Sequence, residues 1–230
     1  MKSALITGGS SGIGLAIARM LHEEGFGLTL ASRTPERVGA AADELGALAI
    51  AADVSREEDC ERLVAAHVER HGGLDVLVNS AGIGIAGSIG GLSTKQYDLQ
   101  MDINVRGAFL VTREALPHLR AARGFVINIA SIGGTIPAPG LAVYGASKAA
   151  LIALTKSLNH EEAANGVRAT AVCPGFVDTR MAEWTGLPGE AMIQPEDCAE
   201  LVRTVLRLSP NARVPEIVIE RLGDEPGFKA

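Results

Sequence analysis

A metal-ligand pattern is missing from this sequence. Its three cysteines, Cys60, Cys173 and Cys198, lie far apart and form no CxxC or Cys/His pattern, so they read as small buried apolar residues. The five histidines do not cluster. His67 and His71 stand at helical spacing, but "VERHGG" around them reads as a solvated helix end, and no metal is expected. Basic tracts are missing as well: Lys and Arg are scattered and the formal net charge is −6, which argues against a general nucleic-acid binder. So is any long apolar run. "MKSALITGG" is broken by glycines after a few residues, too short for a signal peptide or membrane span, so no membrane association and a cytoplasmic location are expected. There is no internal repeat, low-complexity segment or linker, and one domain over residues 1–230 is expected.

What is present is an ordinary globular balance, 47% hydrophobic and 21% charged, with strand-like runs alternating with amphipathic helical stretches. The strands are "SALIT", "GLTLAS", "ALAIAAD", "LDVLVNSAG", "GFVINIAS", "VRATAVCPG" and "EIVIE", the last followed by a polar tail. Between them stand helices: one closed by Gly25, one from Pro35 to Leu45, and one opened by Ser55 as N-cap. A single long helix is expected over about Thr94 to Leu119, another around Tyr144 to about Ala164, and a last one in "PEDCAELVRTVLRLS". The fold class is therefore α/β: a Rossmann-like, doubly wound parallel sheet of about seven strands with helices on both faces.

"TGGSSGIG", Thr7 to Gly14, joins the first strand to its helix. Glycines at 8, 12 and 14 let the backbone turn tightly and approach a pyrophosphate, and the helix N-terminus offers unpaired N–H groups to it. The spacing is G-x-x-x-G-x-G, not the GxGxxG form. Further along, "YGASK" puts Tyr144 and Lys148 one helical turn apart on one face.

TGxxxGIG near the N-terminus together with YxxxK resembles the short-chain dehydrogenase/reductase family. "NSAG" (Asn79 to Gly82) stands where the family has NNAG. Asn104 lies in the long helix, Ser131 follows the fifth strand, and "PGFVDT" (Pro174 to Thr179) matches PGxxxT. The resemblance implies the catalytic set Asn104, Ser131, Tyr144 and Lys148. In it Tyr144 exchanges a proton with the reacting oxygen, Ser131 hydrogen-bonds that oxygen, and Asn104 positions a relay water. Lys148 holds the nicotinamide ribose. A cation one turn away is expected to bring the tyrosine, ordinarily near pKa 10, down toward working pH.

A nicotinamide dinucleotide is the implied cofactor, over Gly8, Ser10, Ser11, Gly12, Ile13, Gly14, Asp53, Val54, Asn79, Ala81 and Gly82, with Tyr144 and Lys148. Pro174, Gly175, Val177 and Thr179 complete the set. Asp53 matches the family residue that contacts adenine. After the second strand the chain reads "LTLASRTPER", with Ser32 and Arg33 where an acid would bind the ribose 2′-OH of NAD(H). Arg pairs well with a 2′-phosphate, so NADP(H) is expected in preference to NAD(H), with Arg37 a candidate second contact.

Residues 180–195 stand where the family builds a substrate lid, with Trp184, Met181 and Met192 as candidate cover or as packing against the last helix. Substrate contacts are expected from Ile132, Ala138, Leu141, Phe176 and Trp184, with Ile83 and Val177 as further walls. These offer no clamp for a carboxylate or phosphate, so a neutral ketone, aldehyde or alcohol is expected. The chain departs from the family at Ser80 and in lacking the C-terminal "DGG", which lowers the reading as a β-ketoacyl carrier-protein reductase. A non-catalytic NADP(H) sensor is the other alternative, disfavoured because Tyr144 and Lys148 both stand. The resemblance further implies a homodimer or homotetramer.

Overall fold

The computed structural model describes residues 1–223; the end of the tail read as polar lies outside the described residues. Seven parallel strands form one sheet in the order β3-β2-β1-β4-β5-β6-β7. The strands are β1 (Ser3–Thr7), β2 (Gly27–Ser32), β3 (Leu48–Ala51), β4 (Val76–Asn79), β5 (Phe125–Ile129), β6 (Arg168–Pro174) and β7 (Glu216–Ile219). The helices are α1 (Gly12–Glu23), α2 (Pro35–Leu45), α3 (Glu57–His71), α4 (Thr94–Met101), α5 (Ala108–Ala122), α6 (Ala142–Glu161) and α7 (Pro195–Leu206).

The strands read as nearly continuous apolar runs because both faces of the sheet are covered. Ala4, Ile6, Val76 and Val78 point to one face and pack with Ile17 and Leu21 of α1, Val38 of α2 and Val202 of α7. Leu5, Leu77 and Val126 point to the other and meet Leu63 of α3 with Val111 and Leu119 of α5. Strand order reverses between β1 and β4, so the connections leaving their carboxyl ends diverge and open a crevice there, the usual ligand position in such a sheet.

Local details depart from the sequence reading in four places. The helix expected over Thr94 to Leu119 is three pieces, because Asp102–Gly107 is wound as a π-helix between α4 and α5. α6 ends at Glu161, and a 3₁₀ turn, Ala163–Asn165, carries the chain on. Ser55 does not cap α3: Arg56 holds the N-cap position without a side-chain hydrogen bond, and the Ser55 hydroxyl donates to Asp53 Oδ1 at 2.8 Å. His67 is no solvated helix-end residue. It is fully buried, with Nδ1 2.8 Å from Thr29 Oγ1 and Nε2 3.2 Å from Ser3 Oγ.

Candidate active site

The turn after β1 is shaped by how closely it passes its neighbours. Gly8 has φ +66°, and a Cβ there would sit 2.7 Å from the Ala81 nitrogen, so a side chain would meet both strain and backbone. Gly12 has φ +52° and lies under the Thr179 methyl. Gly14 is buried against the Gly8 carbonyl, where it serves close packing of α1 on β1 and does not line the crevice. Ser11, the N-cap of α1, makes no side-chain hydrogen bond to the helix, and no acid stands in the first turn. The unpaired N–H groups and the positive dipole end are therefore open to an anion.

A cleft of about 980 Å³ runs from this turn along the carboxyl edge of the sheet. One end is walled by Ser32, Arg33, Thr34 and Arg37, with Asp53 and Val54 beside them. Arg33 and Arg37 are exposed, and among the described residues neither enters an ion pair. Asp53 Oδ1 accepts from the Ser55 N–H at 3.0 Å and from its hydroxyl. Asp53 thus orders its own loop while facing the cleft.

The other end holds Ser131, Tyr144 and Lys148. Ser131 leaves β5 with an extended backbone, and its Oγ accepts from the Gly133 N–H at 3.1 Å. Tyr144 and Lys148 project from the first turns of α6. Lys148 is 4% exposed, and Nζ donates to the Ile129 carbonyl at 2.8 Å and lies 5.8 Å from the Tyr144 ring centroid. Burial holds the Lys148 ammonium down at about 8. The same burial pushes the half-buried Tyr144 phenol up, opposed by a hydrogen bond with Ser131. A lowered tyrosine was expected; in the chain by itself removal from water outweighs the Ser131 hydrogen bond.

Asn104 sits in the π-helix, buried behind the cleft wall. Its Oδ1 accepts from the Ile83 N–H at 2.8 Å, and Nδ2 donates to the Ile83 carbonyl at 2.9 Å and to Ser147 Oγ at 3.0 Å. Both amide hydrogens are used, so the side chain has no donor left for a relay water. Ser147 in turn donates to the Tyr144 carbonyl at 2.7 Å. Asn79 also lies beneath the cleft, not in it. Its Nδ2 donates to Thr112 Oγ1 and, at 2.9 Å, to Asn128 Oδ1 across the β4–β5 register, and Asn128 continues to Thr155 on α6.

Of the residues expected to wall the substrate, Ile83, Ile132, Leu141, Phe176, Val177 and Trp184 line the cleft, and Ala138 does not. Pro174, Gly175 and Thr179 line the cleft with Ser10, Ser11, Ile13, Ala81 and Gly82. Residues 180–195 form two short 3₁₀ turns, Arg180–Thr185 and Gly189–Ala191. Trp184 is 60% exposed, set edge-on to Phe176 with centroids 5.7 Å apart, while Met192 is buried away from the opening. Sequence reading did not single out Gln100 or Ser147, both fully buried polar residues at this site. Gln100 to Asn104 is a polar pair at helical spacing, which is the signal that was there to be used.

A parallel sheet with a glycine turn at its switch point, and a Tyr/Lys pair at the far end of the same cleft, defines a dinucleotide-dependent oxidoreductase. The family model for short chain dehydrogenase matches residues 2–186. An uncharacterized oxidoreductase of Staphylococcus epidermidis is 36% identical over 221 residues, covering 95% of this chain and 96% of that protein. Its counterpart in Staphylococcus aureus is 35% identical, with the same coverage. An alcohol dehydrogenase from the archaeon Thermococcus sibiricus, solved in complex with 5-hydroxy-NADP, superimposes with a TM-score of 0.88 at 31% identity, covering 96% of this chain and 97% of that one. A short-chain dehydrogenase from Streptomyces avermitilis follows at 0.84 and 29%, over 95% of this chain and 88% of that one. The chain belongs to the short-chain dehydrogenase family, whose members bind NAD(P).

Proposed function

We propose that this protein is an NADP(H)-dependent oxidoreductase that interconverts a neutral, largely apolar ketone or aldehyde and the corresponding alcohol. The observation that carries the reading is one cleft with two chemically different ends. Ser131, Tyr144 and Lys148 stand at one end, and at the other the guanidinium groups of Arg33 and Arg37, which enter no ion pair among the described residues. The residues fit the cofactor: Gly8 and Gly12 let the turn pass tightly by Ala81 and Thr179, and the uncapped α1 N-terminus suits a diphosphate. Arg33 and Arg37 suit a 2′-phosphate better than a hydroxyl, which favours NADP(H). The NADP analogue bound to the archaeal relative supports the same choice.

When bound, the nicotinamide supplies the hydride in reduction and accepts it in oxidation. Ser131 Oγ donates to the carbonyl oxygen and stabilises the charge that develops there. Tyr144 gives its phenolic proton to that oxygen as the C–H bond forms, so the carbonyl leaves as an alcohol, and the proton is replaced from solvent. Lys148 remains beside the phenol and favours the transient tyrosinate. Asn104 acts by fixing Ile83 and, through Ser147, the turn that carries Tyr144. The aromatic edge of Phe176 and Trp184, with Ile132 and Leu141, excludes water and receives the apolar part of the substrate. Turns 180–185 and 189–191 serve as a short lid.

The same reading takes residues 1–230 as one domain working in the cytoplasm, supported by three unpaired cysteines. It takes the protein as a homodimer or homotetramer, supported by exposed Tyr97, Leu99 and Phe109 on α4 and α5 and Leu154 on α6. NADPH consumption against a panel of neutral ketones, aldehydes and β-ketoesters tests the function. Turnover that prefers NADPH over NADH is expected; NADPH binding with no turnover in either direction on any panel member would overturn it.

A further inference from the structure

The wall of the cleft over residues 82–86 has no regular secondary structure, yet it is gripped at alternate residues. Asn104 holds both backbone groups of Ile83, at 2.8 and 2.9 Å. Gln100, one helical turn earlier, accepts the Ile85 N–H on Oε1 at 3.0 Å. Both side chains are buried, Gln100 completely and Asn104 to within 1%. The residues at 82 and 84 are glycines that face the chemistry. A Cβ on Gly82 would lie 3.3 Å from Lys148 Nζ, and one on Gly84 would lie 3.5 Å from the Tyr144 ring carbons Cδ2 and Cε2. The loop therefore has a held set, 83 and 85, and a set, 82 and 84, that leaves little more than a methyl's room before the reacting pair.

Gln100 is an expensive residue to bury. A primary amide taken out of water is destabilising unless its hydrogen bonds are replaced. Its Nε2 makes a 3.4 Å contact to the Gln96 carbonyl, near the limit for such a bond, while Oε1 makes a well-formed one to Ile85. Packing alone would be served by Leu or Met. What the position gains from Gln is an acceptor aimed at one backbone N–H. The π-helix that follows adds a residue to the turn and brings Asn104 to bear on the same loop.

We propose that Gln100 is a positioning residue: by holding the Ile85 N–H it keeps the 82–86 wall in place beside the Tyr144 ring and so fixes the direction of the phenol. The inference rests on the function proposed above, in which Tyr144 is the proton donor. Loss of the acceptor leaves cofactor binding intact, because Gln100 does not line the cleft, and acts on the chemical step. It also releases the Ile85 amide, which is measurable without any turnover.

The test compares Gln100→Leu, which removes the acceptor at similar volume, with Gln100→Glu, which keeps an oxygen facing Ile85. Amide hydrogen exchange over residues 82–86 is read alongside kcat, KM and the Kd for NADPH. In the Leu variant, exchange at Ile85 is expected to rise and kcat to fall, each roughly tenfold, with NADPH Kd unchanged. In the Glu variant both return most of the way to wild type. Wild-type protection and kcat in the Leu variant would overturn the proposal, and so would equal losses in the Glu variant, since shape and not the acceptor would then matter. A wild-type protein that turns over no ketone or alcohol overturns the reaction instead, and exchange at Ile85 still decides the brace.

Discussion

Lys148 Nζ donates to the Ile129 carbonyl at 2.8 Å and stands 5.8 Å from the Tyr144 ring centroid. The ammonium is thus anchored to the end of β5 by a neutral oxygen, and among the described residues no carboxylate pairs with it. Its pKa is accordingly held at about 8 by burial. The charge is kept where the proposed chemistry uses it, at a cost in stability.

That cost has a sign that can be measured. An unfolded lysine titrates near 10.4, so between about pH 8 and 10 the unfolded chain holds more protons than the folded one. Stability from this group therefore rises with pH across that window and is lowest below it. Lys148→Met is expected to be more stable than wild type at pH 7 by about 2 kcal/mol, the relieved burial offset by the lost hydrogen bond. The gap should shrink from pH 8 to 10. Urea unfolding at four pH values checks it; a less stable Met variant would mean the hydrogen bond outweighs the burial.

His67 gives the opposite end of the pH scale a similar device. Burial holds it at about 4, against 6.5 for an unfolded histidine, with Thr29 and Ser3 on its two nitrogens. Because the unfolded chain takes the proton first, stability falls as pH drops from 6.5 to 4, by about 1.4 kcal/mol per pH unit from this residue. His67→Gln should flatten that slope, leaving a remainder from His71, which burial also lowers. Thermal unfolding between pH 7 and 4 reads it out, and an unchanged slope would remove His67 from the acid response.

Arg33 decides between the two cofactors if the cleft is oriented as proposed. Arg33→Ala should weaken NADPH binding roughly 10–100-fold, the worth of a lost charge-assisted contact, and leave NADH nearly unchanged. Arg37→Ala should act the same way and less strongly, as Arg37 stands on the first turn of α2. Fluorescence titration with both cofactors distinguishes these outcomes; equal losses for NADPH and NADH would point to general electrostatics.

Trp184 offers a test of the substrate wall. Its 60% exposure means that Trp184→Ala should change stability by no more than about 0.5 kcal/mol. The KM for bulky apolar ketones should rise roughly tenfold, with small ketones hardly affected. A uniform loss across both would place Trp184 outside the substrate's reach.

Much of this candidate site was legible in the residue order: the glycine turn and YGASK through spacing that reports a backbone or helical constraint, and NSAG, Ser131 and PGFVDT through the resemblance to the family's motifs. What could not be read depends on contacts distant in sequence. His67 looked solvated because its neighbours in the chain are polar, while Thr29 and Ser3 that bury it come from β2 and β1. The π-helix at Asp102–Gly107 leaves no mark in hydrophobic periodicity, so a continuous helix was the natural expectation. Asn79, expected in the cleft, lies beneath it with its amide nitrogen taken by Thr112 and Asn128, the latter a partner set by strand register. Tyr144 was expected low because Lys148 is near in sequence; burial, which the sequence does not carry, acts the other way.

The most direct test of the proposed mechanism is a single-turnover reduction with Tyr144→Phe beside wild type, each first titrated with NADPH. The phenol is half-buried and is not needed to hold the loop, so the variant should fold and bind NADPH with little change in Kd. The hydride-transfer rate should fall by about 10²–10⁴, the range for removing a positioned general acid. A Phe variant that binds NADPH and reduces ketones at close to the wild-type rate would contradict Tyr144 as the proton donor.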